Sequence, residues 1–178
     1  MNRLRLLSGA TVLAASWVSA AQWQASAPQS RLTFNAMQAG AEFQGTFKRF
    51  TANVDFDPQN PSACRFDVTI DMTSVDTKDK ERDNTLMSAD LFDVKRFPHA
   101  RYVANRCTAQ GQPFIGHGKL TLRGVTRDVP ITFIFDGKSL RGSAQLKRLD
   151  FGVGQGDWRD TQWVANEVKV SFVLQAGS

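Results

Sequence analysis

Along much of the chain, apolar and polar residues alternate one for one. Phe66, Val68, Ile70 and Met72 form one apolar row, interleaved with Asp67, Thr69 and Asp71. Val129, Ile131, Phe133 and Phe135 form a second, and Val168, Val170, Phe172 and Leu174 a third. A period of two sends successive side chains to opposite faces of a β-strand, so each segment has one face to bury and one to wet. Strands in series hide such faces by closing into a barrel or stacking as a sandwich. The pattern predicts strands at about 31–36, 43–57, 64–73, 100–107, 114–123, 127–136, 141–151 and 164–175. Turn formers punctuate them: Asp57-Pro58, Asn60-Pro61, Gly111-Gln112-Pro113, Gly124 and Asp136-Gly137. The long 43–57 segment changes phase near Arg49-Phe50, which predicts a bend or bulge. Pro130, inside a strand, predicts an edge-like or bulged position.

Residues 74–98 lose the alternation. Asp79-Lys80-Glu81-Arg82 predicts a short charged helix ending near Met87, with a second turn through Leu91-Phe92 and Asp76 or Thr77 as its N-cap. A helical insert over about 76–93, set between two strands, can cap one mouth of a barrel.

Composition then sets the compartment. Arg3 and Arg5 precede an apolar run from Leu6 to Val18, and Val18-Ser19-Ala20 supplies a small-x-small cleavage site. Residues 1–20 therefore read as a signal peptide cleaved near Ala20; the competing reading, an uncleaved anchor, would need about 20 apolar residues. Residues 21–178 read as one exported barrel domain. The net charge of +5 includes both leader arginines, and the remaining Lys and Arg lie beside acidic or apolar neighbours. No basic stripe interleaved with aromatics exists, which argues against nucleic acid. Cys64 and Cys107 are an even pair in an exported chain and predict a disulfide. Two buried thiols, or a thiolate nucleophile or metal pair, are the other readings.

Little else suggests chemistry. His99 and His117 have no partner at metal-ligand spacing, so no metal site is predicted. Asp55/Asp57 and Asp67/Asp71 fall on predicted solvent faces, where solvation explains carboxylates. Gly152-Val153-Gly154-Gln155-Gly156 lacks the spacing and the following Lys-Ser/Thr of a phosphate loop and reads as a wide turn. Trp158 and Trp163 flank that turn and either plug a barrel end, the preferred reading, or offer amphipathic rings to a membrane. The 13 phenylalanines, against a single tyrosine at Tyr102, suit a packed core and a hydrocarbon ligand equally.

Several ordered blocks resemble the YceI-like family of exported lipocalin-like proteins: FQGTFKRFTANVDFDP (43–58), TSVDT (73–77), RDNTLMSADLFDVKRFP (82–98), GKLTLRGVTRDVPITF (118–133) and LKRLDFGVG (146–154). The resemblance runs from Arg31 to Leu174. It implies an all-β, eight-stranded antiparallel barrel with an apolar tunnel, a periplasmic location and a non-covalent polyisoprenoid ligand, prenylated quinones included. It implies no catalytic activity and no cofactor. Its partners would be an isoprenoid lipid, a membrane cytochrome b561-type protein and a second copy in a homodimer. Thr85 and Gln38 stand where relatives often carry histidine, and Leu91 replaces the first of two paired phenylalanines, so headgroup contacts differ here.

By the alternation, the ligand-binding residues are Phe34, Phe43, Phe47, Phe66, Phe92, Leu120, Phe133 and Phe172. Two other functions stay open. One is a filled barrel acting as an accessory to a membrane cytochrome; the other is a lipid-modifying enzyme using carboxylates such as Asp83 and Asp90 at the mouth.

Overall fold

The alternating segments pair into strands β1 (Ala21–Ser26), β2 (Arg31–Gln38), β3 (Ala41–Phe47), β4 (Phe50–Phe56), β5 (Arg65–Asp71), β6 (Val75–Asp76), β7 (His99–Thr108), β8 (Phe114–Leu122), β9 (Val125–Phe135), β10 (Ser139–Lys147) and β11 (Glu167–Gln175), with helix α1 at Lys80–Met87. The computed structural model describes residues 21–26, 29–109 and 111–175, and the expected leader lies outside them. All pairings are antiparallel, in the order β1-β4-β5-β7-β8-β9-β10-β11-β2-β3-β6.

β3 and β4 lie near opposite ends of that order, yet only Lys48 and Arg49 separate them in the chain. The sheet is therefore curled until its ends meet at this bend. Hydrogen bonds hold it: Lys48 N donates to Ser74 O (3.1 Å), Arg49 N to Ser74 Oγ (3.0 Å) and Asp71 N to Arg49 O (3.0 Å). The phase change near Arg49-Phe50 is this bend. The all-β antiparallel fold is as expected, but the sheet has 11 segments where eight strands were expected. The break at 48–49 divides one expected run into β3 and β4, while β6 lies in the 74–98 stretch without alternation and β1 is a strand the alternation did not reveal.

Two strand ends also differ. The run expected over 141–151 leaves the sheet after Lys147 and turns through a 3₁₀ segment, Arg148–Phe151, while β11 starts only at Glu167. The reason is Arg148, whose buried guanidinium gathers carbonyls from the intervening loop, so the chain wraps around it. Pro130 lies beyond the last β9–β10 pair, which matches Thr132–Phe135 with Leu140–Ser143, so the β10 side of β9 is unpaired there, as expected for proline.

The helix starts at Asp79, whose carboxylate accepts from Glu81 N and Arg82 N (both 3.0 Å). The expected caps are otherwise engaged. Asp76 sits between Lys48 (2.7 Å) and Lys78 (3.0 Å), and Thr77 donates its N–H and hydroxyl to Asp83 Oδ1 (2.8 and 2.7 Å). Leu91 and Phe92 follow in a turn and are buried.

The interior is packed at one end. Where β4 and β9 finish and β8 begins, Phe56 meets Phe114, Phe133 and Phe135 edge-on at centroid distances of 4.9, 5.1 and 5.5 Å. Phe66 joins through Phe133 at 5.3 Å. Such edge-to-face contacts add to the area these rings bury. The Cys64–Cys107 disulfide ties the start of β5 to the end of β7, with both residues buried.

Candidate functional site: an apolar cavity beneath a helical lid

The remainder of the barrel is hollow. A cavity of about 420 Å³ opens between the phenylalanine floor and α1, within the range of small-molecule sites. Its walls are the inward residues of the alternating strands: Leu32, Phe34 and Ala36 of β2, Val68 and Ile70 of β5, Val168, Val170 and Phe172 of β11, and their neighbours. The sequence period decides which residues these are, because every second side chain of a curled sheet faces its concave side.

Glycine keeps the lumen open. Phe34 lies over Gly45, its register partner on β3, and Phe172 over Gly142, its partner on β10. Tyr102 likewise covers Gly118 of β8. A β-carbon at any of these glycines would overlap the ring above it. The rings therefore lie flat against the wall, and the space they would fill stays empty. Tyr102 is pinned by its hydroxyl, which donates to Val129 O (3.1 Å), and burial pushes its phenol well above the usual range.

Polar groups gather at the mouth. Gln38, Asp79, Glu81, Arg82, Thr85 and Arg148 line it with Phe43, Leu86, Trp158 and Val164. The Arg82 guanidinium lies 4.5 Å from the centroid of Phe43, a cation–π contact linking α1 to the wall. The lid is also tied where Asp90 O accepts from Gly154 N and Gln155 N (both 2.9 Å), and where Arg123 Nη2 donates to Ala89 O (2.6 Å).

Arg148 is the most unusual group at the cavity. It is only 4% exposed, and its guanidinium donates to five backbone carbonyls, those of Ala165, Val153, Trp158, Asp160 and Val164. Desolvation by burial lowers its pKa. A charge that has left water must be hydrogen-bonded, and here the loop from 153 to 165 supplies the acceptors.

Of the residues selected by alternation, Phe34, Phe43, Phe47, Phe66, Phe92, Leu120 and Phe172 all line the cavity. Phe133 does not; it is 1% exposed and stacked in the floor against Phe114 at 5.5 Å. Gln38, Thr85 and Leu91 also line the cavity, and the Thr85 hydroxyl donates to Glu81 O of its own helix (2.8 Å). Trp158 borders the cavity, whereas Trp163 is 54% exposed. Arg148, Tyr102 and Arg82 were not singled out from the sequence. Parity with Leu146 on β10 points Arg148 inward, and Tyr102 stands in phase between the buried Ala100 and Ala104, so two of the three were within reach of the same rule.

The carboxylates at the mouth have other tasks. Asp83 accepts both bonds from Thr77, and Asp90 is exposed and joined to the loop by its carbonyl. Away from the mouth, Arg101 grips Asp67 through two bonds of 2.8 and 2.7 Å and holds its carboxyl below the usual range. His117 pairs with Thr108 on the exterior (2.9 Å). Among the described residues, no three metal-type donors are grouped.

An antiparallel sheet strongly curled around an apolar cavity, floored by phenylalanine and covered by a short helix, defines an all-β protein of the hollow half-barrel class. Residues 23–176 match the YceI-like domain, and the chain belongs to that family. It is 36% identical to a UPF0312 protein of Photorhabdus laumondii over 71% of this chain and 67% of the relative. Against proteins named YceI, such as that of Salmonella arizonae, the identity is 42%, and the match spans about half of each chain (49% and 46%). The crystal structure of BcnA from Burkholderia cenocepacia aligns with a TM-score of 0.78 and 34% identity, covering 86% of this chain and 99% of that one. A polyisoprenoid binding domain from Saccharophagus degradans shares the fold, with a TM-score of 0.63 and 15% identity over 88% of this chain and 100% of that one.

Proposed function

We propose that this chain is an exported, non-catalytic binding protein that holds a polyisoprenoid lipid, a prenylated quinone being the leading candidate. The observation that carries the reading is the cavity itself: about 420 Å³ of apolar, ring-lined space whose polar lining, apart from Tyr102 with its hydroxyl bonded to Val129 O, gathers at one mouth. Such a site takes a ligand with a hydrocarbon tail and a polar end. Burying the tail contributes about 0.8 kcal/mol per methylene, so a few isoprene units give tight binding without an ion pair. The Saccharophagus domain named for polyisoprenoid binding gives the same fold a ligand of this kind. The headgroup would meet Gln38, Arg82 and Thr85 at the mouth in place of the histidines common in relatives. The barrel would work as a periplasmic carrier or reservoir. A membrane cytochrome b561-type protein is the partner that the family resemblance implies for a quinone cargo.

The test is native mass spectrometry of the mature protein purified from a bacterial periplasm, followed by organic extraction. A stoichiometric prenylated species is the expected result and names the headgroup. Protein that comes out empty, and takes up no prenyl quinone when one is added, would overturn the reading.

A further inference from the structure

We infer that the barrel docks, mouth first, on a lipid bilayer through an apolar rim formed by Met37, Ala39 and Trp163. The inference rests on the lipid-binding reading and adds the surface through which the ligand is exchanged. The tip of the β2–β3 hairpin is bonded to the 160s loop: Ala39 N donates to Trp163 O (2.8 Å), Ala165 N donates to Met37 O (3.0 Å), and Gln38 bridges Val164. Alternation across this bridge gives its two faces different company. Gln38 and Val164 line the cavity, so their chain neighbours Met37 and Trp163 face the other way, into solvent, and Ala39, in the turn after β2, is exposed beside them.

Trp163 is 54% and Met37 39% exposed, and the two are diagonal neighbours on one face. A lone exposed apolar residue needs no explanation, but a contiguous group beside a binding mouth does. The exterior of β2 changes character as it reaches the mouth, from Arg31 through Asn35 to Met37. None of the three rim residues is charged, and the indole combines an apolar body with an N–H donor, which suits the headgroup boundary of a membrane. The chemistry favours a zwitterionic bilayer over an acidic protein, since the three residues offer no cation and the register partner of Met37 is the exposed carboxylate of Glu42. It also suits the cargo, because a prenyl chain passing through water would lose the hydrophobic stabilisation that its burial supplies.

The experiment uses phosphatidylcholine vesicles carrying a dansyl-labelled prenyl lipid. It compares wild-type protein with M37S/W163S and with W163F, and measures uptake of free geranylgeraniol without vesicles in parallel. In the expected result, M37S/W163S extracts the vesicle probe at least tenfold more slowly yet binds geranylgeraniol with unchanged stoichiometry. W163F, which keeps an apolar ring, retains most of the rate. Wild-type tryptophan emission is quenched by brominated phosphatidylcholine, and added salt does not abolish the quenching.

Extraction by M37S/W163S at the wild-type rate would overturn the inference. So would a wild-type rate independent of vesicle concentration. A wild-type dimer that the double substitution dissociates would overturn it too, by giving the face to a second copy. If the wild-type protein takes up no geranylgeraniol, the lipid reading fails by itself, and the bromine quenching still decides whether the rim meets a bilayer.

Discussion

The ring of Phe34 lies on Gly45, its register partner across the β2–β3 pair, so closely that no β-carbon could occupy position 45. Phe34 also stands between Phe43 (6.1 Å, edge-on) and Phe47 (5.5 Å), which bars sideways escape. The volume of the cavity thus depends on a residue with no side chain. Gly45→Val should force Phe34 into the lumen, destabilise the fold by about 1–3 kcal/mol through overpacking, and shorten the longest prenyl chain the protein accepts. Melting temperature and a chain-length series of bound prenols check both effects; uptake of the longest chain at the wild-type level would refute the account.

Phe133 and Phe172 are both inward phenylalanines, yet they should respond differently. Phe133 belongs to the packed floor, where removal of a buried ring costs about 3–5 kcal/mol. Phe172 lines the cavity and is half-buried. Phe133→Ala should lower stability strongly while the folded fraction still takes up lipid. Phe172→Asp should abolish uptake, because the tail would have to lie against a carboxylate. Denaturant midpoints beside prenol titrations separate the two outcomes.

The disulfide closes a sequence separation of 43 residues. In the chain-entropy account, a loop of this length restricts the unfolded state by about 4 kcal/mol. Cys64→Ser/Cys107→Ser should lose a stability of that order, read as a lower denaturant midpoint. Because the bridge lies by the floor, the affinity of the molecules that remain folded should be unchanged.

Acid should destabilise the protein. Asp76 is held well below its ordinary 3.8 by hydrogen bonds from the Lys48 side chain and from Lys78. The Ser139 hydroxyl and the Lys138 and Ser139 amides bring Asp136 down to about 2. A carboxyl whose pKa is lower in the folded state stabilises fully above its unfolded value and loses that contribution as pH falls toward the folded one. The melting temperature should therefore show no loss from these two groups above pH 5, then fall from about pH 4 toward pH 2. Asp76→Asn should flatten part of that acid limb; an unchanged limb would show that the Lys48 pair contributes nothing to it.

The chain alone determined most of the strands, their buried faces and the bend at Arg49, because a period of two admits few other structures and a curled sheet gives every inward residue the same neighbourhood; β1 and β6, which the alternation does not mark, were decided by pairing. It also determined the paired cysteines and the residues from which the cavity wall is chosen. Tertiary structure decided whether the inside is full. Phe133 and Phe172 obey the same alternation and flank the same glycine, Gly142, but the ring of Phe133 packs with Phe56 and Phe66 in the floor whereas that of Phe172 lies over Gly142 and lines the cavity. No local pattern encodes which glycine comes to lie under which ring, since Phe172 and Gly142 meet only through strand pairing. Arg148 shows the same limit: parity aims it inward, but only the folded loop from 153 to 165 brings together the carbonyls that let a guanidinium stay there. Alternation is a property of neighbours in the chain; a cavity is a property of neighbours in space.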